Sequence, residues 1–549
     1  MDLRGDPAVC FPGLSGRCTR GYSTIASPDR YGADAAAEVL AAGGNAVDAA
    51  VATAFVLAVT YPDAGNVGGG GFATVWFGGK SYFLDYRERA PGAATANMYL
   101  DAKGQVIPDA STVGSRAAGV PGTVMGLWQL HHRFARLPWS RDLAPAIRQA
   151  REGFEVSPML AQRREDESRR LGGRTNFERY FGATTAGSLL RQPELARVLE
   201  RVAARGPQGF YAGETARLIV AQMKRDHGLI SAKDLASYRA AWREPLTAEW
   251  NGYTVITAPP PSSGGIGLLG LLGMRVAAST LFDGVALNSP QYIHLVAEME
   301  KRIFADRAEY LGDPDYAKVP ASELTDPAYI AKRAREINPD KPSPTDSVHP
   351  GVGDHHNTTH FSVTDRWGNA VSNTFTLNDD FGSGAVVEGA GFILNNEMDD
   401  FSVKPGTPNI YGVVGGDANA IAPGKRPLST MTPTILLKDG HVALVIGTPG
   451  GSRIMTSVFQ VISNWHDFRL PLKDAVAALR VHHQLLPPDL IYEEPYRHVD
   501  DATRQALIAR GYRFEDQGYN GDIEVVAVNG DSAEAVPDPR GIGVGRVLP

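Results

Sequence analysis

Two adjacent hydroxyls, Thr358 and Thr359, stand where a polar run, Gly353-Asp354-His355-His356-Asn357, meets a strand-forming segment. A hydroxyl is a poor nucleophile unless a base lies beside it. If the chain is cut between Asn357 and Thr358, the threonine gains a free α-amine on its own residue. Such an amine has a pKa of about 7.7–8.0, low enough to serve as a base near neutral pH. Threonine paired with its own N-terminus is one variant of the nucleophile–base arrangement. Read locally the signal is weak, because Thr-Thr opening a strand is an ordinary consequence of β-propensity.

The remaining chemical residue types offer less. There is no Gly-x-Ser-x-Gly elbow of the α/β-hydrolase kind. Gly68 to Gly71 lacks the Lys and Ser/Thr that complete a phosphate loop. The pairs His355-His356 and His482-His483 have no partner at metal-ligand spacing, so surface or satisfied histidines are expected and no metal site.

The elements around the hydroxyl pair follow from periodicity and turn residues. Ala35 to Ala42 reads as a helix stopped by Gly43-Gly44, and Asn45 can cap a second helix through Val47, Val51 and Phe55. Phe72 to Phe77 and Ser81 to Tyr86 alternate around a Gly-Gly turn as paired strands. Residues 115–250 are mainly helical. The turn Ala258 to Gly265 leads to a helix from Ile266, and a long helix covers Gln291 to Tyr310. Six prolines punctuate residues 317–357, which read as an exposed, weakly structured linker able to tolerate a cut. A hairpin follows, Thr359 to Asp365 and Ala370 to Leu377, turning at Trp367-Gly368-Asn369. Further strands are expected at 434–437 and 442–447 and helices at 455–468 and 472–480, and Glu524 to Asn529 closes the tail. Mixed helices and short hairpins fit an α+β layered sandwich better than a doubly wound sheet.

Composition narrows the class. The 549 residues are 43% hydrophobic and 21% charged, as in a globular protein of more than one domain-sized unit. A net charge of −7 argues against a nucleic-acid partner held through phosphates. The stretch Arg163, Arg164, Arg169, Arg170 and Arg174 is interleaved with Glu165, Asp166 and Glu167, the pattern of a solvated helix face. Cys10 and Cys18 are the only cysteines and leave the redox compartment open. Met1 to Arg20 lacks the apolar core of a secretory signal, and Ala46 to Thr60 is short for a membrane span, so neither export address nor span is expected.

Ordered blocks along residues 23–540 carry a resemblance. They are Asn357 to Val363, Gly368 to Val371, Thr374 to Asn378, Phe381-Gly382, Leu394 to Ser402, Arg426 to Thr434 and Gly447 to Arg453. In the front half they are Gly44 to Ala50, Asn66 to Gly71, Asp85 to Glu88, Pro121 to Thr123, Pro259 to Gly265, and Ala305-Asp306-Arg307 through Pro314. In these the chain resembles bacterial γ-glutamyltransferases, which implies an Ntn-hydrolase fold, a four-layer αββα sandwich. It also implies an autoprocessed precursor with a large chain 1–357 and a small chain 358–549, cut between Asn357 and Thr358, and folding together as a heterodimer.

The resemblance implies the following roles. Thr358 is the nucleophile, Thr376 its hydrogen-bonding partner on the opposite arm, and Gly450-Gly451 the backbone oxyanion donors. Arg87, with Ser429 and Thr430, holds the substrate α-carboxylate. Asn378, Glu397 and Asp400 receive its ammonium. The family commonly has Ser-Ser where Ser429-Thr430 stands. Lys404 to Asn419, with Tyr411 near its middle, resembles a lid loop. The implied reaction is γ-glutamyl transfer or hydrolysis through an ester on Thr358, with glutathione as donor, water or an amine as acceptor, and no cofactor. The alternatives are a related amidohydrolase, such as a glutaryl-cephalosporin acylase or oxamate amidohydrolase, or an uncut binding protein on the same scaffold.

Overall fold

The structure, a computed structural model, describes residues 21–348, 357–404, 416–516, 518, 521–530 and 532–549, with only the backbone of Asn357. Cys10, Cys18, the run 349–356 with its two histidines, and Tyr411 lie outside the described residues.

Capping sets the first helices. Asp29 accepts from Gly32 N at 2.7 Å and starts α1 (Arg30–Ala41). Asn45 starts α2 (Ala46–Thr60) through a capping box closed by Asp48. α2 is buried on every face, a central helix rather than an amphipathic one. Around it pack α3 (Thr123–Phe134), α4 (Trp139–Glu152) and α5 (Pro158–Leu171). Gly78 and Gly79, both at positive φ, make the tight turn between β2 (Gly70–Phe77) and β3 (Lys80–Asp85).

Two sheets form the inner layers. The first runs β17 (Val544–Leu548), β1 (Ser23–Ser27), β9 (Asn357–Thr364), β10 (Ala370–Asn378), β2, β3 and β6 (Ala241–Arg243). The second runs β16 (Ser532–Pro537), β15 (Glu524–Asn529), β12 (His441–Gly447), β11 (Thr434–Lys438), β8 (Tyr253–Thr257) and β7 (Leu246–Trp250). Two short pairs, β4 (Phe154–Glu155) with β5 (Leu189–Leu190) and β13 (Leu490–Glu493) with β14 (Arg513–Asp516), stand apart. Helices α1–α3 cover the outer face of the first sheet, and α4 packs on α2. The helices Gly264–Ala277 and Arg453–His466 cover that of the second. The result is the expected αββα sandwich.

The β9–β10 hairpin divides its side chains by parity. Phe361, Val363, Val371, Phe375 and Leu377 enter the core with α2. The opposite face looks at the second sheet and is polar. Ser372 Oγ donates to Ile446 O at 3.0 Å and Ser362 Oγ to Glu524 O at 2.8 Å. His360, fully buried, sits between Thr374 Oγ1 (2.8 Å) and Ser362 Oγ (3.0 Å), against Gly447, where any Cβ would strike its ring.

Three expectations need correction. Residues 317–348 are packed rather than loose: Leu324, Ile330, Ala334 and Ile337 are buried, and Pro327 opens the helix Pro327–Arg335 capped by Asp326. Proline at a first helical position starts a helix, which the reading as a breaker overlooked. The basic stretch on α5 is only partly solvated. Arg163 pairs with buried Asp63 and donates to Tyr61 Oη, and Arg170 pairs with buried Glu167, whose carboxyl burial pushes up to about 7. The tail does not close at Asn529 but adds β16 and β17, the latter pairing with β1. His482 and His483 are buried and hydrogen-bonded, as one of the two expected readings had it.

Burial pushes His360 down to about 3 from 6.5, so it is neutral in the fold. The unfolded chain therefore binds more protons between these values, and stability falls as pH falls through that window. The lead of the wild type over His360→Gln in chemical denaturation should shrink by about 2 kcal/mol between pH 6.5 and pH 5. A constant difference across that range would contradict a neutral buried imidazole.

Candidate active site

The site begins with register. Across the hairpin Thr376 lies directly opposite Thr358, and the ladder then slips so that Asn378 pairs with Asn357. Directly opposed residues share a face, so both hydroxyls point toward the second sheet, in line with His360. Thr358 and Thr376 are both buried. On its other edge β10 pairs with β2, Thr376 facing Gly70. A Cβ on Gly69 would lie 2.0 Å from Thr376 O, so only glycine allows this approach. Asn66 fixes the junction: its Nδ2 donates to Thr376 O at 2.8 Å, and its Oδ1 accepts from Gly69 N and Thr123 Oγ1.

The slip after Thr376 puts Asn378 at φ +84°, a conformation strained for a residue with a side chain. Its backbone N–H donates to Thr376 Oγ1 at 2.7 Å and its Nδ2 to Asn396 O at 3.0 Å. Its Oδ1 is buried with no hydrogen-bond donor among the described residues. An acceptor left in this way suits an arriving cation.

The short 3-10 turn Glu397–Asp400 carries three acids into the interior, where a solvated loop would have kept them outside; Asp399 takes the Ser111 hydroxyl, and Glu397 and Asp400 face Arg87. Arg87 meets both: Nη1 pairs with Glu397 and Nη2 with Asp400, while Glu88 lies 3.7 Å from Nη1. Nη2 also donates to Leu428 O at 3.0 Å, and Tyr238 Oη holds the Arg87 carbonyl at 2.8 Å. Burial opposes the guanidinium charge, but Glu397, Asp400 and Glu88 outweigh it and hold the group firmly protonated. Burial, then the charge of Glu397, drives the Glu88 carboxyl well above its ordinary range. The arginine expected for a substrate carboxylate is thus paired with the acids expected for its ammonium.

Supports from elsewhere in the chain hold this turn. Asn395 Nδ2 donates to Gly68 O and Gly119 O, and Asn419 Nδ2 to Asp400 O. Asn419 Oδ1 accepts from Leu428 N, joining the turn to the segment 426–433. There the two hydroxyls differ. Ser429 Oγ accepts from Met431 N at 3.2 Å, which leaves its own hydrogen for a ligand. Thr430 Oγ1 donates to Gly451 O at 2.8 Å, so its hydrogen is already engaged. Gly450 and Gly451 have φ of +130° and +60°, and the turn they make opens the helix Arg453–His466. β12, whose last residue Gly447 covers His360, delivers them to the Thr358 end of the hairpin.

Hydrogen bonds, ion pairs and strand register therefore link all the expected residues except Tyr411: Thr358, Thr376, Asn378, Glu397, Asp400, Arg87, Ser429, Thr430, Gly451 and its neighbour Gly450. Residue patterns did not single out Glu88, Asn66, Asn395 and Asn419. The first three stand in or beside the quoted blocks, where a buried acid or amide next to glycines was the available signal.

The chain is similar to known proteins along most of its length. A family model described as Gamma-glutamyltranspeptidase matches residues 32–548. A glutathione hydrolase proenzyme of Pseudomonas aeruginosa is 60% identical over 525 residues, 95% of this chain and 94% of that protein. A solved gamma-glutamyltranspeptidase from Pseudomonas nitroreducens, complexed with L-DON, is 59% identical with a TM-score of 0.59, covering 59% of this chain and 97% of its own. A cephalosporin acylase from Bacillus halodurans is 27% identical with a TM-score of 0.81, covering 98% of both.

One arginine facing three buried carboxylates has a direct consequence. Removing one partner of a buried ion pair costs about 3–5 kcal/mol. Arg87→Met should lose that much in denaturant unfolding at pH 7, and Glu88→Gln added to it should restore part of the loss. A variant as stable as the wild type would show that Arg87 does not compensate buried negative charge there.

Proposed function

The chain belongs to the gamma-glutamyltranspeptidase family, and we propose that Thr358 is the nucleophile with which it transfers and hydrolyses γ-glutamyl groups. The observation that carries this reading is the opposition of Thr358 and Thr376 at the end of β10 that also bears Asn378, beside the buried Arg87 cluster. Further support comes from a chain of the solved relative, 97% of which matches only 59% of this chain, an extent that suits a separate large chain.

Two acyl transfers are needed. In maturation the Thr358 hydroxyl attacks the Asn357 carbonyl carbon, and the amide nitrogen leaves as the threonine's own amine. Water then hydrolyses the resulting ester, giving a carboxylate at Asn357 and a free α-amine at Thr358. In turnover that amine takes the hydroxyl proton while the oxygen attacks the γ-carbonyl of the donor. The N–H groups of Gly450 and Gly451 receive the oxyanion, where each such donor contributes about 3–4 kcal/mol to the transition state. The leaving amine departs with a proton, and water or an acceptor amine releases the acyl group.

Charge balance explains the donor. A γ-glutamyl group brings one carboxylate and one ammonium, so it exchanges with the Arg87 pairs ion for ion: carboxylate onto Arg87 and Ser429, ammonium onto Glu397, Asp400 and Asn378 Oδ1. The buried charge is the same before and after. A glutaryl donor brings only the carboxylate and adds an unpaired anion to a site already rich in acid. Glutathione, a γ-glutamyl tripeptide, is the donor we propose.

Thr358→Ala should remain one chain near 58.8 kDa on a denaturing gel and lack activity, whereas Thr358→Ser should still be cut, at least in part. N-terminal sequencing of the small chain should begin at Thr358, and any other start would sink the assignment. With γ-glutamyl and glutaryl anilides, kcat/KM should favour the former by about a hundredfold or more, because stranded buried polar groups cost about 1–3 kcal/mol each. Equal rates or a glutaryl preference would move the chain to the acylase branch.

A further inference from the structure

Three helix ends meet far from Thr358, beside the β9–β10 turn. α2 brings Asp48 in its first turn, α3 brings His131 in its last, and α4 brings Asp142 in its first. One ligand atom of each lies within 4.8 Å of the other two. Asp48 accepts from Asn45 N at 2.8 Å, Arg136 N at 2.9 Å and Leu137 N at 2.7 Å. Arg136 N also reaches the second Asp48 oxygen at 3.1 Å, so each oxygen takes two contacts and an ion would displace the longer arm of this bifurcated one. His131 Nε2 stands 2.9 Å from Leu137 O and 3.7 Å from Asp142 Oδ2. Asp142 has no exposed side-chain surface, and neither of its oxygens meets a hydrogen-bond donor among the described residues.

That orphaned carboxylate needs an account. The carbonyl end of α3 adds negative potential at the same point. A buried anion without donors is unstable unless a cation or a proton compensates it. The His131 ring stands 3.7 Å from the nearer Asp142 oxygen, beyond hydrogen-bond distance. Neutral imidazole and carboxylate oxygen are ligands of divalent first-row ions, and three protein ligands leave room for more. The Leu137 carbonyl already stands among them.

We propose that Asp48, His131 and Asp142, with the Leu137 carbonyl, bind one divalent transition-metal ion that fastens α2, α3 and α4 together. In that state the His131 ring carries its hydrogen on Nδ1 and turns the Nε2 lone pair to the ion. The role is structural, because α2 also holds the far end of the hairpin: Ala46 N donates to Asp365 Oδ2 at 2.9 Å. Trp139 lies edge-on to the His131 ring at 5.1 Å and Trp128 stacks at 6.4 Å, so two indoles report on the site.

The test uses full-length protein without an affinity tag, stripped with a chelator and dialysed. Zn²⁺ should bind at one equivalent per chain and raise Tm by about 2 °C at a hundredfold excess over Kd. Co²⁺ should bind in its place, giving visible absorption with a nitrogen–oxygen ligand signature and quenching tryptophan fluorescence. Asp142→Asn and His131→Gln should lose all three effects. Asp516→Asn, which alters the exposed Glu493/His498/Asp516 group, should keep them. No uptake by the wild type at equimolar micromolar Zn²⁺ overturns the proposal whatever the variants do. So does uptake that survives Asp142→Asn or that vanishes in Asp516→Asn. Asp142→Asn that is more stable than the wild type without any metal uptake would mean that a shared proton balances the pair instead.

Discussion

The register between β9 and β10 is the constraint on which the site depends. Side chains alternate with a period of two, so a one-residue slip of β9 along β10 would turn Thr358 into the α2 core, away from Thr376, and bring Thr359 between the sheets. Both ends of the ladder resist that slip. At the turn, Asp365 accepts from Trp367 N and Asn369 N and is tied through Oδ2 to the first residue of α2. At the other end, Asn66 grips Thr376 O and the glycines 69–71 admit no side chain. Between them lie about seven residues, some 23 Å of strand. A rod pinned at both ends over that length keeps its two hydroxyls opposed without help from a ligand.

The Arg87 cluster depends on this frame and adds a different kind of order. Four ionised or ionisable groups share a dry space, and their attraction balances the desolvation cost only where the geometry is held. The backbone supplies that hold. Tyr238 fixes the Arg87 carbonyl, Leu428 O fixes its guanidinium, and Asn395 and Asn419 brace the turn carrying Glu397 and Asp400. Among the described residues, Asn378 Oδ1 meets no hydrogen-bond donor, and neither do the two Glu88 oxygens. The site is therefore electrostatically closed before substrate and strained at one residue.

Much of this could be read from residues alone, and the reasons for the failures are physical. The capped helices and the two hairpins were legible because turn glycines, Asn45 and strict alternation act locally. The roles of Thr358 and Arg87 were not local; only the order of many blocks gave them meaning. Pro327 was misread because a proline marks either a break or a helix start, and burial of Ile330 and Ala334 decides which. Arg163 and Arg170 looked solvated because their partners, Asp63 and the Gly382 carbonyl, lie 100 and 212 residues away. The different uses of Ser429 and Thr430 were beyond reach, since both offer a hydroxyl and only the position of Gly451 O separates them.

The polar character of the space between the sheets links these features. A sandwich normally fills that space with apolar side chains. Here an apolar cluster around Ala370, Ile435 and Val445 occupies the turn end, and hydroxyls with His360 occupy the end of the nucleophile. A threonine that must meet an acyl group cannot be surrounded by hydrocarbon, because its hydroxyl and the developing oxyanion need polar partners throughout the reaction. Nor can it sit in open water, which would weaken every dipole aimed at it. Neutral, fully bonded hydroxyls and an imidazole kept uncharged by burial meet both demands. They satisfy one another and add no charge to compete with Arg87 and its acids.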